Sequence, residues 1–267
     1  MKAEEQKVLM TLTPSESKRL IAKGVMNLEE VRRALKRGTI IIGLGTTNAY
    51  VAEEILDALP DTEARTIDKQ RYAAGVITDR GTCIVPKEER EKEVIIRDGK
   101  PCDMDIEKAV EELTAEDVFI KGANALDASG TAGILLAHPA GGTIGAALGT
   151  IMARGVNFII PVGIEKTIPY SIRDAARQVG KERFYKSLGR TVGLIAVHGK
   201  VVTEVEALKL LGARNAFPIG AGGVDGGEGS VVLCAEGSTQ QMDDLMEVIT
   251  HLKGESALKV VKADCEG

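Results

Sequence analysis

Residues 38–59, GTIIIGLGTTNAYVAEEILDAL, constrain the fold of this chain more than any other stretch. Ile40, Ile41 and Ile42 are a β-branched run closed by glycine, the pattern of a strand buried on both faces of a parallel sheet. Gly43-Leu44-Gly45-Thr46-Thr47-Asn48 then turns the chain. Beyond it Val51, Ile55, Leu56 and Leu59 recur at the spacing of one helix face. Such a strand–turn–helix unit aims the first backbone N–H groups of the helix at the turn, and the hydroxyls of Thr46 and Thr47 add donors. That suits a phosphate or a carboxylate. The plainer alternative is a tight turn in which glycine supplies only unusual backbone angles. No Gly-Lys-Ser/Thr follows, so this is not a Walker loop, and Gly43-Leu44-Gly45 lacks the third glycine of a dinucleotide fingerprint.

The rest of the chain repeats the theme. Val118-Phe119-Ile120 reads as a buried strand running into Lys121-Gly122-Ala123-Asn124-Ala125-Leu126-Asp127. His138-Pro139-Ala140-Gly141-Gly142-Thr143 is a second glycine turn opening a helix of small residues, and residues 156–162 (VNFIIPV) are a third buried strand ending at Gly163-Ile164-Glu165-Lys166. In an open parallel α/β sheet ligands bind at the carboxyl ends of the strands, so these loops are expected to share one crevice. At the N-terminus a polar tail precedes Thr13-Pro14-Ser15-Glu16, a capping box with proline in the first helical turn. Helices to about Lys23 and over 27–37 follow, with Leu28, Val31 and Leu35 as the inner stripe of the second. Short strands are expected at 65–67, 73–78, 83–86 and 94–101; those of 75–101 form an excursion around the charged link KEEREKE, a solvated tip. From residue 191 the order strand, helix, strand, strand, helix, strand ends at 258–261 and predicts a ferredoxin-like βαββαβ unit. Its Gly220–Gly229 loop holds six of the 30 glycines. The expected architecture is therefore α/β: N-terminal helices (1–37), a Rossmann-like open parallel core (38–190) and a ferredoxin-like α+β unit (191–267).

Composition removes several function classes. A net charge of −5 and 3% aromatic residues without tryptophan argue against a nucleic-acid surface or stacking platforms. The four cysteines and three histidines are scattered, which predicts no metal site and no cofactor bound through one. Unpaired cysteines without a signal peptide point to the reducing cytoplasm, and no apolar run is long enough for a membrane span.

The stretch GTIIIGLGTTNAYVAEEIL, with FIKGANALD (119–127) and IIPVGIEK (159–166), resembles the superfamily of ribose-5-phosphate isomerase, glucosamine-6-phosphate deaminase, the sugar-sensing domains of DeoR-type repressors and the CoA transferases. The resemblance covers roughly residues 38–166. It implies a small anionic metabolite, phosphorylated or carboxylated, held by Gly43, Gly45, Thr46, Thr47, Asn48, Lys121, Gly122, Asn124, Gly141, Gly142, Thr143 and Lys166. It also implies proton-transfer chemistry, but where the family carries acids this chain has Asn124, and an amide cannot act as a base near neutral pH. Asp127 could substitute if its loop bends inward; equally it is a turn former before Ser129-Gly130. His138 is the other candidate acid/base, or a cap for the glycine turn. Classical ribose-5-phosphate isomerase activity is therefore expected to be absent or very weak. Three readings remain: an isomerase-like enzyme, a non-catalytic small-molecule-binding protein, and an assembly protein whose open strand edges make homo-oligomers.

Overall fold

The computed structural model describes residues 5–60 and 66–266. The chain opens with strand β1 (Glu5–Leu12), followed by helices α1 (Pro14–Met26) and α2 (Glu29–Lys36). The capping box forms as the sequence dictates: Thr13 N donates to Glu16 Oε2 at 2.9 Å and Glu16 N to Thr13 Oγ1 at 3.4 Å. Next come β2 (Thr39–Ile42), α3 (Thr46–Asp57), the hairpin β3 (Gly75–Thr78) and β4 (Gly81–Ile84), the pair β5 (Val94–Arg97) and β6 (Lys100–Pro101), and α4 (Ile106–Glu112). Then follow β7 (Val118–Ile120), β8 (Ala125–Leu126), β9 (Ala132–Leu136), α5 (Gly142–Arg154), β10 (Asn157–Pro161) and α6 (Ile172–Gln178). The chain closes with β11 (Gly193–Val197), β12 (Lys200–Val202), α7 (Glu204–Leu210), β13 (Asn215–Gly222), β14 (Ser230–Ser238) and α8 (Thr239–Leu252).

The central sheet is mixed, with strand order β12-β10-β7-β2-β5-β6. Its first four strands are parallel, in registers such as Ile42 beside Ile120 and Phe119 beside Phe158. Successive isoleucines of β2 point to opposite faces. Ile40 and Ile42 pack with Leu28, Val31, Tyr50 and Ile55 under α2 and α3, whereas Ile41 packs with Phe119, Phe158, Ile144 and Ile151 under α5. Both faces are covered, which is why these strands read as continuous apolar runs.

Several expectations need correction. The 75–101 segment is only half an excursion: β3–β4 stands apart, but β5 joins the core sheet antiparallel to β2, Ile42 lying opposite Val94. The core is thus not purely parallel. Thr66 and Ile67 form no strand, and Arg65 lies outside the described residues. The segment from 191 does not close as one βαββαβ sheet. β11 pairs with β9, β12 pairs with β10, and no strand forms at 258–261. The partner that completes β13–β14 is β1, from the supposed polar tail, aligned so that Leu9 faces Cys234. β1 alternates, burying Met10 and Leu12 while Lys7, Leu9 and Thr11 face out. Its inward side joins Leu208, Leu233, Leu245 and Ile249 in a separate core beneath α7 and α8.

Cysteine pairing was also misjudged. Cys83 on β4 and Cys265 are joined by a disulfide across 182 residues, while Cys102 and Cys234 are free. With this bridge in place, unpaired cysteines no longer favour a reducing compartment. Among the described residues no helix is long and apolar enough to cross a membrane.

Candidate functional site

The parallel strands β2, β7 and β10 end on one side of the sheet, and their loops open into a cavity of about 420 Å³. Of the residues singled out from sequence, Gly45, Thr46, Thr47, Lys121, Gly122, Asn124, His138, Gly141, Gly142, Thr143 and Lys166 all line it. Two helices begin there, α3 after Gly45 and α5 after Gly141, and neither has a side-chain cap. Their first-turn N–H groups and dipoles therefore remain for a ligand. Thr47 Oγ1 is buried on the cavity wall and has no hydrogen-bond partner among the described residues. An unsatisfied buried hydroxyl costs about 1–3 kcal/mol, which a bound acceptor would recover.

The electrostatics point the same way. Lys121, Lys166, Arg90, Lys181 and Arg190 line the cavity, and among the described residues no Asp or Glu does. Lys121 Nζ donates to Leu44 O at 2.7 Å, and Lys166 Nζ to Ala123 O at 3.0 Å. Enclosure by protein pulls the Lys121 pKa down to about 8; the Glu93 carboxylate opposes this and Lys166 adds to it. Enclosure likewise lowers Arg90, against the pull of Glu93. The opposite wall is apolar, built from the hairpin residues Val76, Ile77 and Ile84 with Ile134, Leu136 and Val192. A ligand with an anionic head and a small apolar or neutral body matches both walls.

Asn124 keeps its side-chain oxygen on Leu135 N at 3.1 Å, leaving the amide nitrogen for the cavity. The His138 ring accepts Ala140 N at Nδ1, 3.1 Å away, so it pins the glycine turn and in the neutral form carries its proton on Nε2.

Three expected site residues are not at the cavity surface. Gly43 makes room instead: a Cβ there would come within 2.9 Å of Lys121 Cδ, so the lysine stem crosses over it. Asn48 is a buried brace, its Nδ2 donating to Gly43 O at 2.6 Å. Asp127 is a turn organiser and not a base. Its Oδ1 accepts from Ser129 N, Ser129 Oγ and Thr131 N, and its Oδ2 accepts Ile172 N at the start of α6. Hydrogen bonding outweighs burial and holds its pKa down at about 2. Asp127→Asn is expected to cost about 1–2 kcal/mol, read by urea melts, while leaving anion affinity unchanged. Because the folded pKa is depressed, this contribution is present above the unfolded value and fades as pH falls from about 4 towards 2.

The residues missed from sequence come from the hairpin, from the charged link, from β9 and from the segment between α6 and β11 that carries Lys181, Arg190 and Val192. KEEREKE is not merely a solvated tip: Arg90 turns inward, its Nε donating to Val85 O at 2.6 Å. Glu93 sits just behind the wall, accepting Thr143 Oγ1 at 3.3 Å. The antiparallel return of β5 causes this, because the residues before Val94 must arrive where β2 ends. Among the described residues, no three His, Cys, Asp or Glu side chains converge as a metal site.

Comparison with known proteins gives no match: no family model, curated protein or solved structure matches this chain.

Proposed function

We propose that this protein binds a small anionic metabolite, phosphorylated or carboxylated, at the carboxyl edge of β2, β7 and β10. The observation that carries the reading is charge: among the described residues five cationic side chains and no carboxylate line a cavity on which two uncapped helix N-termini converge. The unpartnered Thr47 hydroxyl supports it independently. The parallel strand run is in keeping with a Rossmann-like, sugar-phosphate-isomerase-like core. The identity of Asn124 and the turn-bound Asp127 speak against the classical isomerase mechanism.

The test is a thermal-shift and calorimetric series with inorganic phosphate, ribose 5-phosphate and citrate. A ligand at 100 times its Kd adds about 2.7 kcal/mol to stability. Gly45→Val is the informative variant. Gly45 has extended backbone, φ 168°, and a Cβ there would meet only ordinary contacts, the nearest 3.5 Å away on Asn48. The variant should fold, with unchanged helical content, while its isopropyl group obstructs the first N–H groups of α3. Anion affinity is expected to fall about tenfold or more. Affinity that survives intact, or no shift of wild type with any anion, sinks the reading.

One observation favours the alternative of a homo-oligomeric assembly protein. The outer strands of the three-stranded sheet, β1 and β13, carry the exposed Leu9 and Ile219. Sedimentation of the wild type against Leu9→Lys distinguishes it, since a lysine on that edge disfavours pairing between copies.

A further inference from the structure

We propose that Lys121 is a nucleophile that forms an imine with the carbonyl carbon of a small anionic aldehyde or ketone. The inference rests on the anion-binding reading above and adds a covalent step to it.

Position is the first argument. Lys121 follows β7 directly, its stem crosses the space left open by Gly43, and its Nζ stands 2.7 Å from Leu44 O beside the start of α3. An anion on the α3 turn would therefore bring a carbonyl a few atoms along its chain up to this amine. Enclosure is the second argument. Lys121 lines the cavity and burial penalises its charge, and a neutral amine is the nucleophilic form. With Val94 opposite Ile42, Glu93 falls at the end of β2 where the Gly43–Gly45 turn begins, and its charge acts on both Lys121 and Arg90. The charged groups acting on the Lys121 amine are thus Glu93, ahead of β5, and Lys166, in the turn after β10.

The step balances without an external reagent. The Lys121 ammonium gives one proton to water, and the freed nitrogen lone pair bonds to the carbonyl carbon. A second proton passes from nitrogen to the former carbonyl oxygen. The C–O bond then breaks as that hydroxyl takes a proton back from solvent, and water leaves. The products are a protonated imine and one water, so charge and hydrogen count are conserved.

The experiment is borohydride trapping on the full chain, with glyoxylate and pyruvate as anionic carbonyl probes. Intact mass and peptide mapping should show one reduced adduct per chain, on Lys121, forming at least about tenfold faster than on any other lysine. Its rate should rise with an inflection near pH 8, where the amine becomes neutral, and inorganic phosphate should suppress it. Lys121→Arg, with its helical content checked by circular dichroism, should abolish the adduct. Labelling spread over many lysines, or none at Lys121 in a wild-type protein that still shows the phosphate shift, overturns the imine and leaves anion binding standing. Absence of both the adduct and the anion shift overturns both.

Discussion

Reduction of the Cys83–Cys265 disulfide is expected to lower the melting temperature by roughly 10 °C. The bond closes a loop of 182 residues, for which loop-closure entropy gives about 5 kcal/mol, against a usual range of 2–5 kcal/mol for native bridges. In a chain of this size each kcal/mol moves the midpoint by about 2–4 °C. The C-terminal segment is held by more than sulfur. Ile84 and Asp264 exchange backbone hydrogen bonds of 2.8 Å in both directions, and Asp264 pairs with Arg190. Reduction should therefore loosen the segment without unfolding the core. Since Thr82, Cys83, Ile84 and Arg190 all line the cavity, anion affinity should fall as well, though by less than tenfold. Calorimetry with and without a phosphine reductant checks this, with Cys265→Ser as the permanently open form. A reductant effect below about 1 °C, or one as large in Cys265→Ser as in wild type, rules the stabilising bridge out.

The parts of this structure legible in the sequence are those whose signal is local. Ile40–Ile42 and Val118–Ile120 announce buried strands because burial on both faces demands unbroken apolar runs. The Gly43–Asn48 and His138–Thr143 turns announce helix starts. With the loops after residues 118–120 and 156–162, these turns supply the eleven of fourteen expected site residues that reach the cavity wall. What failed was pairing. β1 alternates visibly, yet nothing local says that its partner is β14, more than 200 residues away. Cys83 and Cys265 show no spacing signature. Arg90 and Glu93 looked like one charge run because the antiparallel entry of β5 into the core sheet is a non-local fact. At Asp127 the alternative reading, a turn former before Ser129-Gly130, is the one that holds: Oδ1 organises that turn and Oδ2 accepts Ile172 N at the start of α6.

A second large effect is expected at Glu204. This first residue of α7 is wholly buried where α1, the turn after β10 and α7 meet. Its Oε2 accepts Ile164 N at 2.9 Å, but Oε1 is buried with no hydrogen-bond partner among the described residues. Glu165 stands nearby, itself 3.7 Å from Lys18 Nζ. Burial first, and then the Glu165 charge, push the Glu204 carboxyl up to about 7 from 4.5. A raised acid favours the folded state only while protonated. That advantage is full below the unfolded value of 4.5 and is lost as pH rises through about 7. At about 1.4 kcal/mol per pKa unit, ionised Glu204 costs the fold about 3 kcal/mol above neutrality. Glu204→Gln keeps an oxygen for Ile164 N and removes the charge. The helix start survives, because its cap is the Thr203–Glu206 box. Urea melts should therefore find the variant about 3 kcal/mol more stable than wild type near pH 8, and within about 0.5 kcal/mol of it near pH 4.5. A gap of the same size at both pH values would mean a packing change rather than a titration. A variant less stable than wild type near pH 8 would mean that the ionised carboxylate is paired there after all.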